Sequence, residues 1–127
     1  MRRAVLAVAP LVLALSACGT QTTSETVHPV SATPASHHVR VGLTEWQVDV
    51  APARALAGRV TLVVTNAGAT EHDLVVVSGR HGWSLPTLEP GEQRRLVVHA
   101  TPGTPLQLTS KMPGQLHHMD ATIRVTR

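Results

Sequence analysis

The amino-acid sequence predicts an all-β domain, a Greek-key β-sandwich or barrel of about seven strands. From His38 onward, short apolar runs alternate with Gly, Pro and Asn, a spacing typical of successive strands. The chain is 43% hydrophobic, has no Phe or Tyr, and has Trp46 and Trp83 as its only tryptophans. A core rich in Val therefore favours strands over helices.

The strands can be placed in order along the chain. We predict them at residues 39–43, 46–50, 59–65, 73–77, 93–99, 106–111 and 121–125. Turn sequences lie at residues 66–68, 89–92, 101–103 and 112–114. Residues 52–57 are the one segment for which we predict a helical turn. Strand counting leaves open another Greek-key sandwich, such as an immunoglobulin-like domain.

The first 17 residues have the composition of a signal peptide. Arg2 and Arg3 precede an apolar run from residue 4 to residue 17 that only Pro10 and Ser16 interrupt. A membrane-spanning helix needs about 20 apolar residues, and this run is shorter. We therefore expect export and removal of residues 1–17.

The end of this run, Leu15-Ser16-Ala17-Cys18-Gly19, resembles the lipobox of bacterial lipoproteins. The resemblance implies that Cys18 is diacylated and becomes the first residue of the mature protein. We then expect a lipid anchor on the outer face of the cell membrane, or on the periplasmic face in a Gram-negative cell. An ordinary secretory leader that contains a cysteine is the alternative. Cys18 is the only cysteine, so lipidation would leave no thiolate for a metal or a substrate.

The remaining chain divides into a tether and one domain. Residues 18–36 are rich in Thr, Ser, Pro and Ala, a composition that buries too little surface to fold. Residues 37–127 form the predicted domain. The 110 residues that follow the leader are enough for one core but not for two.

Charge and motif content exclude several functions. Without Arg2 and Arg3 the chain carries nine basic and eight acidic side chains, and the basic ones are scattered along the sequence. We therefore expect no nucleic-acid partner. There is no Gly-x-Ser-x-Gly elbow and no phosphate-binding glycine loop, and no carboxylates pair as acid and base. We expect that the protein is not an enzyme.

A central stretch resembles the cupredoxins. Residues 57–68 end in Asn66-Ala67-Gly68, and residues 71–76 follow with His72 at their second position. In cupredoxins a strand ends in Asn-x-Gly and the next begins with the first copper-ligating histidine. The Pro90-Gly91 turn and the segment from Pro102 to Leu108 also match, so the resemblance covers residues 39–127. It implies a cupredoxin-like sandwich.

The last loop departs from the family pattern. Cupredoxins have a Cys, two residues, Pro-Gly-His and then Met. Here Ser110 stands in the position of the Cys and Gln115 in that of the His, while Pro113, Gly114 and Met119 match. A blue copper centre depends on the cysteine sulfur. We therefore expect no blue copper centre.

The remaining soft donors define a candidate copper site. The resemblance brings His72 close to the loop, and His117 and Met119, as alternate residues of an extended chain, share a face. We predict His72, His117 and Met119 as ligands, with His118 and Met112 as second choices. The predicted function is copper storage or relay through a copper-donor or copper-acceptor protein. The alternative is a metal-free interaction module of the cell envelope, and electron transfer is a third option.

Overall fold

The computed structural model describes residues 33–111 and 118–127. Cys18, Met112 and His117 lie outside the described residues, and so do the predicted leader and most of the predicted tether. For His118 the structure gives the backbone only. In the described part of the chain, no helix is long and apolar enough to cross a membrane.

Residues 33–111 and 118–127 contain nine strands and no helix. In chain order the strands are β1 (His38–Leu43), β2 (Val48–Ala51), β3 (Arg54–Leu56), β4 (Gly58–Asn66), β5 (His72–Ser78), β6 (His81–Leu88), β7 (Gln93–Ala100), β8 (Leu106–Lys111) and β9 (His118–Thr126).

The strands form two sheets. One sheet has four strands in the order β2-β1-β4-β7, and the other has five in the order β3-β9-β8-β5-β6. The β1–β4 and β3–β9 pairs are parallel, and the other pairs are antiparallel. The prediction of an all-β sandwich is thereby confirmed.

Alternating burial along the strands builds the core between the sheets. In β4 the side chains of Val60, Leu62 and Val64 are fully buried, and in β5 Leu74 and Val76 are. Burying a Val or Leu side chain contributes about 1.5–3 kcal/mol, so these two strands alone account for a large share of the hydrophobic stabilisation.

Three details of the strand prediction were wrong. The described residues hold nine strands rather than seven, because β3 and β6 were not predicted. Residues 52–57 do not form a helical turn: Ala55 is buried, and β3 pairs with β9 through it. Trp46 lies in the turn before β2, and the strand begins at Val48.

The connections of the sandwich define two ends. We call one the site end: it carries the β1–β2, β4–β5 and β6–β7 connections, the last residue of β8 and the first of β9. The other carries the β5–β6 and β7–β8 turns and the start of β1. We call it the basic end because of the arginines described below. His72, the first residue of β5, therefore lies at the site end.

Candidate metal site

Three side chains from neighbouring strands meet at the site end, on the inner face of the five-stranded sheet. His72 begins β5, Ser110 lies near the end of β8, and Met119 lies at the start of β9. Ser110 and Met119 are direct partners across the β8–β9 pair, so their side chains share a face. His72 and Ser110 are fully buried, and Met119 is half-buried against the core.

Ser110 has committed its only hydroxyl proton. Its Oγ donates a hydrogen bond of 2.7 Å to the backbone oxygen of Asp73. The same Oγ lies 3.4 Å from Nδ1 of His72. Nε2 of His72 is buried and has no hydrogen-bond partner among the described residues.

Among the described residues, a neutral His72 therefore finds no donor for one nitrogen lone pair in either tautomer. If Nδ1 carries the proton, it can donate to Ser110, and the lone pair of Nε2 faces no donor. If Nε2 carries the proton, the lone pair of Nδ1 faces a hydroxyl whose proton is already used. A buried polar group without a partner is costly. The ring thus has a nitrogen that no described protein group occupies.

Asn66 fixes the loop that leads to His72. Its Nδ2 donates to the backbone oxygens of Thr70 at 2.8 Å and Leu88 at 2.9 Å, and its Oδ1 accepts from the N–H of Gly68 at 2.9 Å. The side chain is fully buried, so these bonds replace all its contacts with water. Asn66 thereby joins the ends of β4 and β6 to the loop before β5.

Glu45 holds the same loop from the four-stranded sheet. Its Oε1 accepts hydrogen bonds from the N–H groups of Ala69 and Thr70, the latter at 3.0 Å. The hydrogen bond from its own backbone N–H, together with those from Ala69 and Thr70, lowers the pKa of Glu45. The ionised carboxylate is therefore the form that ties the loop down.

The site end also gathers negative charge. Glu71, which precedes His72, lies next to Glu89, and the charge of Glu71 and its hydrogen bond raise the pKa of Glu89. The hydrogen bond from the backbone N–H of Glu89 lowers the pKa of Glu92, and so does its ion pair with Arg94 at 2.6 Å. The carboxyl groups of Glu71 and Glu89 are thus neighbours in space although they are distant in the sequence.

The observed donors suit a soft metal ion. Imidazole and thioether are good ligands for copper, and the thioether favours Cu(I). His72 supplies a free lone pair, Met119 supplies sulfur on the same face, and Ser110 supplies a neutral hydroxyl where a thiolate would be needed for a blue centre. Within residues 33–111 and 118–127, no three His, Cys, Asp or Glu side chains group so as to hold a metal ion.

The structure places two of the predicted ligands, His72 and Met119, on the same face of the sheet, on either side of Ser110. The second imidazole, His117, and Met112 lie outside the described residues, and the backbone of His118 pairs with Lys111. Sequence analysis missed the hydrogen bonds by which Asn66 and Glu45 hold the loop before β5. The Asn-x-Gly motif marked Asn66 as part of a turn, but no local signal identified Glu45.

Comparison with known proteins agrees with this architecture. No family model matches the chain, and no curated protein matches it. Among solved structures it is similar to the dithionite-reduced auracyanin of the photosynthetic bacterium Roseiflexus castenholzii, with a TM-score of 0.58. The match covers 74% of this chain and 100% of the other, at 15% identity. Auracyanin is a cupredoxin, so the sandwich is a cupredoxin-like domain.

Proposed function

We propose that this protein binds copper at a non-blue site formed by His72, His117 and Met119, and that it stores the metal or relays it. The observation that carries the proposal is the buried imidazole of His72, whose Nε2 has no partner among the described residues and which lies on the same face and at the same end as Met119. The protein would be exported and anchored to the membrane through Cys18.

Each residue around the metal would have a different role in binding it. His72 is held in place by burial, so it offers its nitrogen without losing conformational freedom. Met119 adds a soft sulfur that favours Cu(I), and His117 would add the second imidazole. Copper would supply a redox-active ion that also binds sulfur. The hydroxyl of Ser110 is neutral, so the site lacks the thiolate of a blue centre.

The charge of the site end supports capture of a cation. Glu45, Glu71, Asp73, Glu89 and Glu92 all lie on or next to the loops around His72. A concentration of one sign of charge around a site raises the local concentration of oppositely charged ligands. Exchange with a copper-donor or copper-acceptor protein would take place at this end.

The likeness to auracyanin supports a copper-protein role at the level of the fold. Fast electron transfer is the weaker reading, because a copper site without the thiolate rearranges more when its oxidation state changes. We also propose that the protein is not an enzyme and binds no nucleic acid.

Titration with Cu(I) and Cu(II) against a competing chelator tests the proposal. The unaltered protein should bind one equivalent of copper that survives desalting, and His72→Ala, His117→Ala and Met119→Ala should each weaken binding. His99→Ala is the matched control, because His99 is exposed on β7 and should leave binding unchanged. Equal copper uptake by the unaltered protein and the triple variant would refute the metal site.

The hydrogen bond from Ser110 to Asp73 favours the alternative of a metal-free interaction module. That bond satisfies the hydroxyl at the position of the family's cysteine without any metal. The two functions differ in how stability responds to copper. A ligand that binds only the folded state at 100 times its Kd adds about 2.7 kcal/mol. An unchanged Tm in copper would favour the module.

A further inference from the structure

The strand order groups at one end of the sandwich several arginines that are scattered along the sequence. The basic end carries five exposed arginines and, among the described residues, no Asp or Glu side chain; these arginines are Arg54, Arg59, Arg80, Arg124 and Arg127. None of the five forms an ion pair with another described residue. The end opposite the candidate metal site is therefore strongly positive.

Two of these arginines lie side by side. Arg54 of β3 and Arg124 of β9 are direct partners across the parallel pair, and both point outward because their neighbours Ala55 and Val125 are buried. With Ala53 and Thr122 they line a shallow surface groove. Like charges opposite each other destabilise a sheet, so the pair costs stability unless an anion lies between them.

The groove has the chemistry of a phosphate site. Guanidinium groups form paired, charge-assisted hydrogen bonds with phosphate oxygens. The hydroxyl of Thr122 provides a further donor on the same face, since Thr122 and Arg124 are alternate residues of β9.

The chain enters the domain beside this groove. The N–H of Ser36 donates to the backbone oxygen of Arg54 at 3.4 Å, and the N–H of Leu56 donates to the backbone oxygen of Ser36 at 3.1 Å. Ser36 therefore runs along the free edge of β3, next to Arg54. The proposed tether would therefore be attached to the domain at this edge.

We propose that the groove between Arg54 and Arg124 binds the phosphate of an anionic phospholipid in the membrane to which the chain is tethered. This docking rests on the proposed lipid anchor but not on the copper site. It holds the basic end against the headgroups, so the site end with His72 points away from the bilayer. The source of the phosphate is the lipid, because the proposed anchor would keep the membrane within reach of the edge at which Ser36 joins β3.

Energy transfer from tryptophan to a dansyl-labelled lipid tests the docking. Chain isolated from the membranes of an expressing bacterium is reconstituted in vesicles of phosphatidylcholine alone or with phosphatidylglycerol. The Trp46→Phe variant keeps Trp83 as the only energy donor, three residues beyond Arg80 in the β5–β6 turn of the basic end. The Trp83→Phe variant keeps only Trp46, which lies at the site end. With phosphatidylglycerol, Trp83 should transfer more than Trp46, and the difference should vanish in phosphatidylcholine.

Charge variants assign the effect to the groove. A basic residue close to an anionic surface contributes about a fivefold factor, so R54Q/R124Q should lower the ratio of docked to undocked domain by about 25-fold. R95Q/K111Q removes two charges from the site end and is the matched control. It should leave transfer from Trp83 unchanged. Thermal unfolding of both variants checks that each retains the fold.

Three results would overturn the proposal. One is equal transfer in the two kinds of vesicle, and another is an R54Q/R124Q protein that behaves like the unaltered one. The third is binding of inorganic phosphate that R54Q/R124Q abolishes while transfer from Trp83 does not depend on phosphatidylglycerol, which would assign the groove to free phosphate. Retention of the chain on phosphatidylcholine vesicles reports the anchor separately, and copper titration reports the metal site, so failures of the three ideas are distinguishable.

Discussion

Replacing His72 with leucine should make the metal-free protein more stable. The imidazole is fully buried, and one of its nitrogens has no partner among the described residues. Leucine is close to histidine in volume and has no polar atom. Ser110 keeps its hydrogen bond to Asp73 in the variant, so removal of the ring leaves no new polar group unsatisfied.

The size of the effect follows from two opposing contributions. Loss of an unsatisfied buried polar atom removes a cost of about 1–3 kcal/mol. Repacking a side chain of similar volume costs less than about 1.5 kcal/mol. We therefore expect His72→Leu to raise the free energy of unfolding by about 1 kcal/mol. For a domain of this size that corresponds to a Tm increase of about 4–8 °C.

Urea and thermal unfolding of residues 33–127, with and without copper, measure the effect. Without metal the variant should be the more stable protein. With copper at 100 times the Kd, the unaltered protein should gain about 2.7 kcal/mol and become the more stable one, whereas the variant should gain nothing. This reversal of order is the signature of a residue retained for binding at the expense of stability.

A loss of more than about 1 kcal/mol in metal-free His72→Leu would refute the reasoning, because it would mean that the ring is satisfied in the folded protein. His99→Leu is the control for the substitution itself. His99 is exposed on β7, so its replacement should change stability by less than about 0.5 kcal/mol.

Three further predictions concern the site and its supports. Ser110→Cys should place a thiol beside His72, and Cu(II) should then give an intense visible absorption band that the unaltered protein lacks. Asn66→Ala should lower the free energy of unfolding by about 1–3 kcal/mol in urea, because it removes three side-chain hydrogen bonds to the backbone, one of them to the buried oxygen of Leu88. Glu45 has a lowered pKa, so its stabilising contribution is present above the ordinary value of 4.5 and is lost as the pH falls through the folded value. Glu45→Gln should therefore flatten the dependence of Tm on pH below about 4.5; an unchanged dependence would contradict this.

Sequence analysis located the strands in which every second side chain is buried. In β4 and β5 every second residue is a buried apolar side chain or a buried polar residue at a strand end, so the period of two is clear. It missed β6 because six of its eight residues are exposed or only partly buried, so no alternation is visible. The strand also contains Pro86, a residue that an edge strand tolerates. It missed β3 because three residues with one buried side chain, Ala55, carry no period.

The site was predictable only in part. The resemblance to cupredoxins indicated that His72 would lie near the last loop, and the structure brings it to the same face as Met119. The commitment of the Ser110 proton to Asp73 was not predictable, since it depends on a contact between residues 37 positions apart. The hydrogen bond from Ala69 to Glu45, 24 residues away, depends in the same way on the parallel pairing of β1 with β4, which places the loops after these two strands side by side.

Opposite charges at the two ends follow from antiparallel connection rather than from any local sequence run. Each turn between strands returns the chain to one end, so residues as distant in sequence as Arg59 and Arg127 share the basic end. A neutral donor set of imidazole and thioether leaves the charge of a bound copper ion uncompensated nearby. The carboxylates of the site end offset that charge at longer range, and the five arginines of the basic end lie where they would oppose it least. The same separation of charge would therefore serve both proposed contacts, the cation at one end and the anionic membrane at the other.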